Sequence, residues 1–256
     1  AQNSARLQYD NSALYSGIEV GSKGVKMSLL EVGKNAKNNG SFNVLKDTSV
    51  NTDFISFSSP TFQATLSGLC NLYEVASKQY SIESDKIFTV ISSGVQMQAQ
   101  KDQKSDWINR LIDSFRLKIK DPQRKVEVID VLQEARLSHL GIVPDTRRFS
   151  TFLIDIGSGN TKGGYFPYDN TADFKLFNLN WGTKSTANAT EKRCDEFDKT
   201  LANYNKQLYR VLVAAEEQDI VYAVNASGAY NMNDYIAFSG GIAWAVATLV
   251  RPESIG

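Results

Sequence analysis

Two stretches of nine residues, 18–26 (IEVGSKGVK) and 154–162 (IDIGSGNTK), carry an acid, a Gly-Ser turn and a closing lysine in the same order. Ile, Gly, Ser and Lys coincide; Glu19 stands opposite Asp155, and Val20 opposite Ile156. A turn of glycine and small polar residues leaves backbone N–H groups open to phosphate oxygens, because little side-chain bulk blocks the approach. Gly21 and Ser22 supply such a turn once, and Gly157, Ser158, Gly159 and Asn160 supply it again. Ser158, Asn160 and Thr161 add side-chain donors. Gly157 and Gly159 are expected at positive φ in a tight hairpin. Asp155, at the carboxyl end of an aliphatic strand, is expected to face a cleft or a metal-bound water. One acidic turn closes many ordinary hairpins. Two, at matching places in two halves, predict a pair that grips a phosphate chain from both sides.

Strands and helices must position these turns. Residues 13–20 read as a buried strand and 24–32 as its hairpin partner. Residues 34–41 are rich in Lys, Asn and Gly and read as a loop; residues 41–50 read as a third strand. Pro60 opens a helix with Phe62, Leu66, Leu69, Tyr73 and Ala76 at helical spacing. A strand over 86–93 follows, then a helix over 105–119 spaced by Trp107, Leu111 and Phe115, and a strand at 125–131. A helix over 132–143 is closed by Gly141 and Pro144. The second half begins again with strands at 149–157, 160–168 and 173–180. A long polar helical region runs over 186–217, strands lie at 219–225 and 234–241, and a helix closes at 242–250. The pattern predicts an α/β protein made of a loose segment 1–13, a lobe at 14–146 and a lobe at 147–256, with a cleft between the lobes.

Composition narrows the function classes. The 256 residues include 28 basic and 28 acidic side chains, so formal net charge is zero. That removes any global electrostatic case for nucleic acid or for an anionic membrane. No stretch approaches 18 uninterrupted apolar residues, so no membrane partner is expected. One histidine, His139, excludes multi-histidine metal sites and argues against a Ser-His-Asp triad. Two cysteines, Cys70 and Cys194, make no disulfide framework and read as buried thiols. The chain begins at Ala1 with a polar segment, which fits a cytoplasmic protein or one exported after removal of a leader.

Paired acidic glycine hairpins resemble the phosphate loops of the acetate-kinase, sugar-kinase and actin superfold. Residues 126–143 (VEVIDVLQEARLSHLGIV) followed by 152–166 (FLIDIGSGNTKGGYF) are similar to the exopolyphosphatase and guanosine pentaphosphate phosphatase (Ppx/GppA) family. NLNWGTKSTA and YIAFSGGIAWAVATLV resemble that family's later glycine turns. The likeness runs from Leu14 to about Val250 and implies two duplicated ribonuclease H-like (actin-like ATPase) lobes, each a mixed sheet flanked by helices. It implies a hydrolase that releases terminal phosphate from inorganic polyphosphate or guanosine pentaphosphate, with Mg²⁺ or another divalent cation at Glu19 and Asp155. Glu134 falls on the family's catalytic glutamate, a general base for water, and Asp155 on the second-hairpin aspartate. Arg136 is expected to pair within its lobe, and a homodimer is the assembly the resemblance suggests.

The departures matter. Glu19 is one methylene longer than the expected Asp. Gln96 stands where the family carries a phosphate-gripping Arg, an exchange worth about 1.5–3 kcal/mol if the lost contact was charge-assisted. Lys23, in the first turn, could restore that charge as a flexible point cation. These changes keep open a phosphate- or nucleotide-binding sensor without turnover.

Overall fold

The computed structural model describes residues 7–34, 36 and 42–250. It divides into two units, Ala1–Glu134 and Ala135–Gly256.

The first unit holds a five-stranded sheet in the order β3-β2-β1-β4-β5. Its strands are β1 (Ala13–Val20), β2 (Gly24–Val32), β3 (Phe42–Asn51), β4 (Ile87–Ile91) and β5 (Glu127–Val128). The first three form antiparallel hairpins, and β4 joins β1 in parallel. Its helices are α1 (Ser59–Glu74), α2 (Ser93–Lys101) and α3 (Ser105–Ile119). Ser58 and Thr61 cap α1 reciprocally: Thr61 N–H donates to Ser58 Oγ at 3.4 Å and Ser58 N–H to Thr61 Oγ1 at 3.2 Å. Phe62, Leu66 and Leu69 of α1 and Leu111 and Phe115 of α3 are buried in one core with Ile18, Val20, Val25, Met27 and Leu29 of the hairpin. The helical spacing read from the sequence is therefore the spacing of the buried face.

In the second unit α4 (Val131–Ile142), which begins in the first, leads to a four-stranded sheet in the order β8-β7-β6-β9. The strands are β6 (Thr151–Ile156), β7 (Thr161–Tyr165), β8 (Lys175–Leu179) and β9 (Tyr235–Ser239). Here too an antiparallel triplet is joined in parallel by a later strand. The helices are α5 (Thr183–Glu191), α6 (Leu201–Ala215), α7 (Val221–Ala226), the short α8 (Ala229–Met232) and α9 (Gly241–Val250). The repeated connectivity bears out two ribonuclease H-like lobes, each a mixed sheet with helices.

Several expectations need correction. Residues 219–225, expected as a strand, are helical. A π turn over Glu216–Ile220 carries α6 into α7, and Ile220, Ala223 and Val224, at helical spacing, pack on Phe152, Tyr165, Phe177 and Leu179. The strand expected at 125–131 shrinks to two residues, and Gly141 lies inside α4 rather than closing it. The helical region expected over 186–217 is interrupted between Glu191 and Leu201. The two units meet within α4, between Glu134 and Ala135. The buried His139 ties the end of that helix to the second sheet, with Nε2 2.9 Å from the Thr151 carbonyl.

The segment expected to be loose is tied down where it is described. Gln8 and Tyr9 N–H and Ser12 Oγ all donate to the buried Glu31 at 2.7–2.9 Å. Burial pushes the Glu31 carboxyl up, but the hydrogen bonds from Gln8, Ser12 and Tyr9 outweigh it and hold the group below its ordinary value. Residues 1–6 and most of the loop after Lys34 lie outside the described residues. Cys70 and Cys194 are unpaired and half-buried rather than fully buried. Burial still pushes the Cys70 thiol up. No helix among the described residues is long and apolar enough to cross a membrane.

Candidate functional site

The two turns share one geometry. Gly21 N–H donates to Gly24 O at 2.8 Å, and Gly157 N–H to Asn160 O at 3.0 Å. In each, outward-facing carbonyls are taken up by the segment after the third strand. Thr52 and Asp53 N–H donate to Lys23 O at 3.0 and 3.4 Å. Thr183 N–H donates to Gly157 O at 3.0 Å, and Lys184 and Ser185 N–H to Ser158 O at 2.8 and 3.2 Å. The first amides of α5 therefore anchor the second turn instead of facing solvent. Among the described residues, no acceptor takes the backbone N–H of Ser22 or Lys23, or of Ser158, Gly159 or Asn160. These amides fit anionic oxygens.

The glycines work differently from the expectation. Neither Gly157 nor Gly159 adopts a left-handed φ. Gly157 is needed for room, since a Cβ there would lie 3.0 Å from Asn160 O, while one on Gly159 would meet nothing. The demanding position is Gly182, just before α5. A Cβ there would sit 2.7 Å from both Gly157 O and Ser158 O. Gly240, at φ 96°, lets the Ser-Gly-Gly turn press against Ile156.

In the first unit, Glu134 meets the start of α2. Ser93 N–H donates to Glu134 Oε2 at 3.0 Å, a charge-assisted bond at a helix N-terminus. Gly94 brings the same helix start beside the first turn: a Cβ on it would lie 3.2 Å from Ser22 Oγ. Glu19 bends back over this turn, with Oε1 3.4 Å from where a Gly21 Cβ would stand. Lys23 is exposed and Gln96 half-buried in the first turn of α2. The first unit thus gathers Glu19, Gly21, Ser22, Lys23 and Glu134 at one end of its sheet.

In the second unit Asp155 has two partners. Ser239 of β9, its neighbour in the parallel ladder, donates its hydroxyl to Oδ1 at 2.7 Å. Lys162, directly opposite on β7, places Nζ 3.9 Å from Oδ2. Among the described residues, no group of three or more His, Cys, Asp or Glu side chains could hold a metal ion. A hard divalent cation wants several oxygens at short range. With one oxygen accepting from a hydroxyl and the other beside an ammonium, Asp155 does not fit as a ligand for Mg²⁺.

Sequence reasoning missed Ser93, Lys162, Gly182 and Ser239. The closing lysine of each nonapeptide was the available signal for Lys162: Glu19 faces Lys26 across β1 and β2 as Asp155 faces Lys162. Arg136 pairs within its unit, donating to Thr171 O at 2.9 Å. His139 is core: it is buried edge-on to Phe166 and Phe174, at 4.9 and 5.8 Å between ring centroids. A groove of about 410 Å³ beside β8 is lined by Asn178, Trp181, Gln218, Asp219 and Tyr222, and Asn160 reaches Asn178 at 3.5 Å.

Structures of known proteins share the fold of this chain. The crystal structure of the Ppx/GppA family member of Aquifex aeolicus matches at a TM-score of 0.63, covering 95% of this chain and 72% of that one at 17% identity. The Ppx/GppA fold is the fold of this chain. An exopolyphosphatase from Cytophaga hutchinsonii shares it, at a TM-score of 0.60 and 14% identity over 95% of this chain and 72% of that one. An exopolyphosphatase-like protein matches at 0.58 and 14% identity over 94% of this chain and 69% of that one. No protein-family model matches the sequence, and no curated protein matches it.

Proposed function

We propose that this chain binds chains of phosphate on its turn amides and hydrolyses the terminal phosphoanhydride, with Glu134 as the base that takes a proton from the attacking water. The substrate class is inorganic polyphosphate or guanosine pentaphosphate. One observation carries the reading: Glu134, fixed through Oε2 by the Ser93 amide, lies at the same helix start that packs on the first phosphate turn. The amide orients the carboxylate, and orientation is what a general base needs before basicity. Backbone N–H groups aimed at phosphate oxygens stabilise charge that grows in the transition state, without reorganising when it forms. Likeness of fold to an exopolyphosphatase supports the substrate class.

Phosphate release from polyphosphate and from guanosine pentaphosphate, measured for wild type and Glu134→Gln, tests it. The amide retains the Ser93 contact and removes the base, so turnover should fall about 100-fold or more while substrate affinity holds. Equal rates for the two proteins would overturn the role of Glu134. Binding without any release in wild type would favour a sensor, a reading that Gln96 and the paired Asp155 support.

A further inference from the structure

Asp155 and Lys162 stand directly opposite each other on β6 and β7 and project to the same face of the sheet. The lysine side chain is only 12 % exposed and the aspartate 20 %, so the pair is set into the unit and is not a solvated surface bridge. Ser239 pins the second carboxylate oxygen. One residue, Ile156, separates this carboxylate from the turn whose amides at Ser158, Gly159 and Asn160 are open to anionic oxygens. A divalent ion on Oδ2 would have to share that oxygen with an ammonium 3.9 Å away, and like charges at such separation in a poorly solvated site repel strongly. The ammonium supplies a positive charge next to the phosphate turn without an ion being recruited.

We propose that Lys162 is the built-in cation of the second phosphate turn. It stands in the place a divalent ion would take beside Asp155, and anions bind this turn without metal. The inference rests on reading the second turn as a phosphate site. It adds Lys162 as a positioning and charge-supplying residue and Ser239 as the group that holds the Asp155 carboxylate toward it. In the first hairpin Lys26 is likewise the cross-strand neighbour of Glu19, but its side chain is exposed, so the inset ammonium is a feature of the second hairpin.

Two measurements on the full chain decide it. In the first, Mn²⁺ alone is titrated and the bound ion followed by electron paramagnetic resonance. Wild type should bind none more tightly than about 1 mM. Lys162→Glu, which sets a second carboxylate opposite Asp155, should bind it at least tenfold more tightly. Mn²⁺ bound by wild type and lost in Asp155→Asn would overturn the proposal. In the second, inorganic tripolyphosphate is titrated by calorimetry in EDTA. Wild type should bind, Lys162→Met should lose about tenfold or more, and Lys162→Arg should retain most of the affinity. Binding in EDTA that ignores Lys162→Met, or binding that appears only when Mg²⁺ is added, would overturn the proposal and leave the phosphate reading standing. No binding under either condition would sink both, and the Mn²⁺ titration would then report on Asp155 alone.

Discussion

His139 is the one histidine of the chain, and its surroundings make it a reporter of pH. Nε2 donates to the Thr151 carbonyl, Nδ1 meets no hydrogen-bond partner among the described residues, and two phenylalanine rings press on it edge-on. Burial lowers its pKa first; the Thr151 bond opposes this, and Arg148 adds to it. Because the folded ring resists protonation, the unfolded chain takes up the proton first. Its contribution to stability is therefore whole above about pH 6.5 and declines as pH falls below that value. The midpoint of thermal unfolding should drop between pH 7 and 5 in wild type, and His139→Phe should flatten that slope. At pH 7.5 the same variant should be weaker by about 1–3 kcal/mol, since the Thr151 carbonyl is left without its donor. An unchanged slope would mean that another group titrates in the window.

At the level of elements, the second turn depends on the start of α5. Gly182→Ala should displace the turn, because the new methyl meets backbone oxygens that cannot rotate away. We expect a loss of about 1–3 kcal/mol in urea unfolding and weaker tripolyphosphate binding. Gly159→Ala, with open space around it, should change stability by under about 0.5 kcal/mol. Equal losses in the two variants would remove Gly182 from the site. These dependences explain what could be read beforehand. The hairpins were legible because alternating aliphatic residues bounded by Gly-Ser mark strand, turn and strand whatever packs on them. The span 219–225 was not, because its β-branched run satisfies a strand pattern as well as a helical one, and only packing on Phe177 and Leu179 decides between them. The start of α2 was missed for the opposite reason: its Gln-rich sequence has little periodic signal, yet it supplies the Ser93 amide that fixes Glu134. Glu134 was singled out by likeness of motif, and Lys162 was passed over because only the strand register sets it against Asp155.

Across the molecule the two sheets are alike in connectivity but not in how they end. Beyond the strand that joins the triplet in parallel, the first sheet has β5; among the described residues the second sheet stops at β9, with Tyr235, Ile236 and Phe238 exposed along it. Beside this edge runs α9, whose sequence GIAWAVATLV has no charged residue and no buried one. Trp244 is 67 % exposed and Leu249 82 %, so neither side chain gains the roughly 1.5–3 kcal/mol that full burial of such a group brings. An apolar helix next to an open strand edge favours self-association as concentration rises. Light scattering should show the apparent mass of wild type growing over the micromolar range, and it should bind a hydrophobic dye while still folded. Trp244→Lys with Leu249→Lys should reduce both signals and leave the unfolding midpoint nearly unchanged, because exposed positions carry little of the fold's stability. If both signals persist in the double variant, association arises elsewhere on the chain. If the midpoint falls sharply, the helix is buried in solution by a contact that these side chains make.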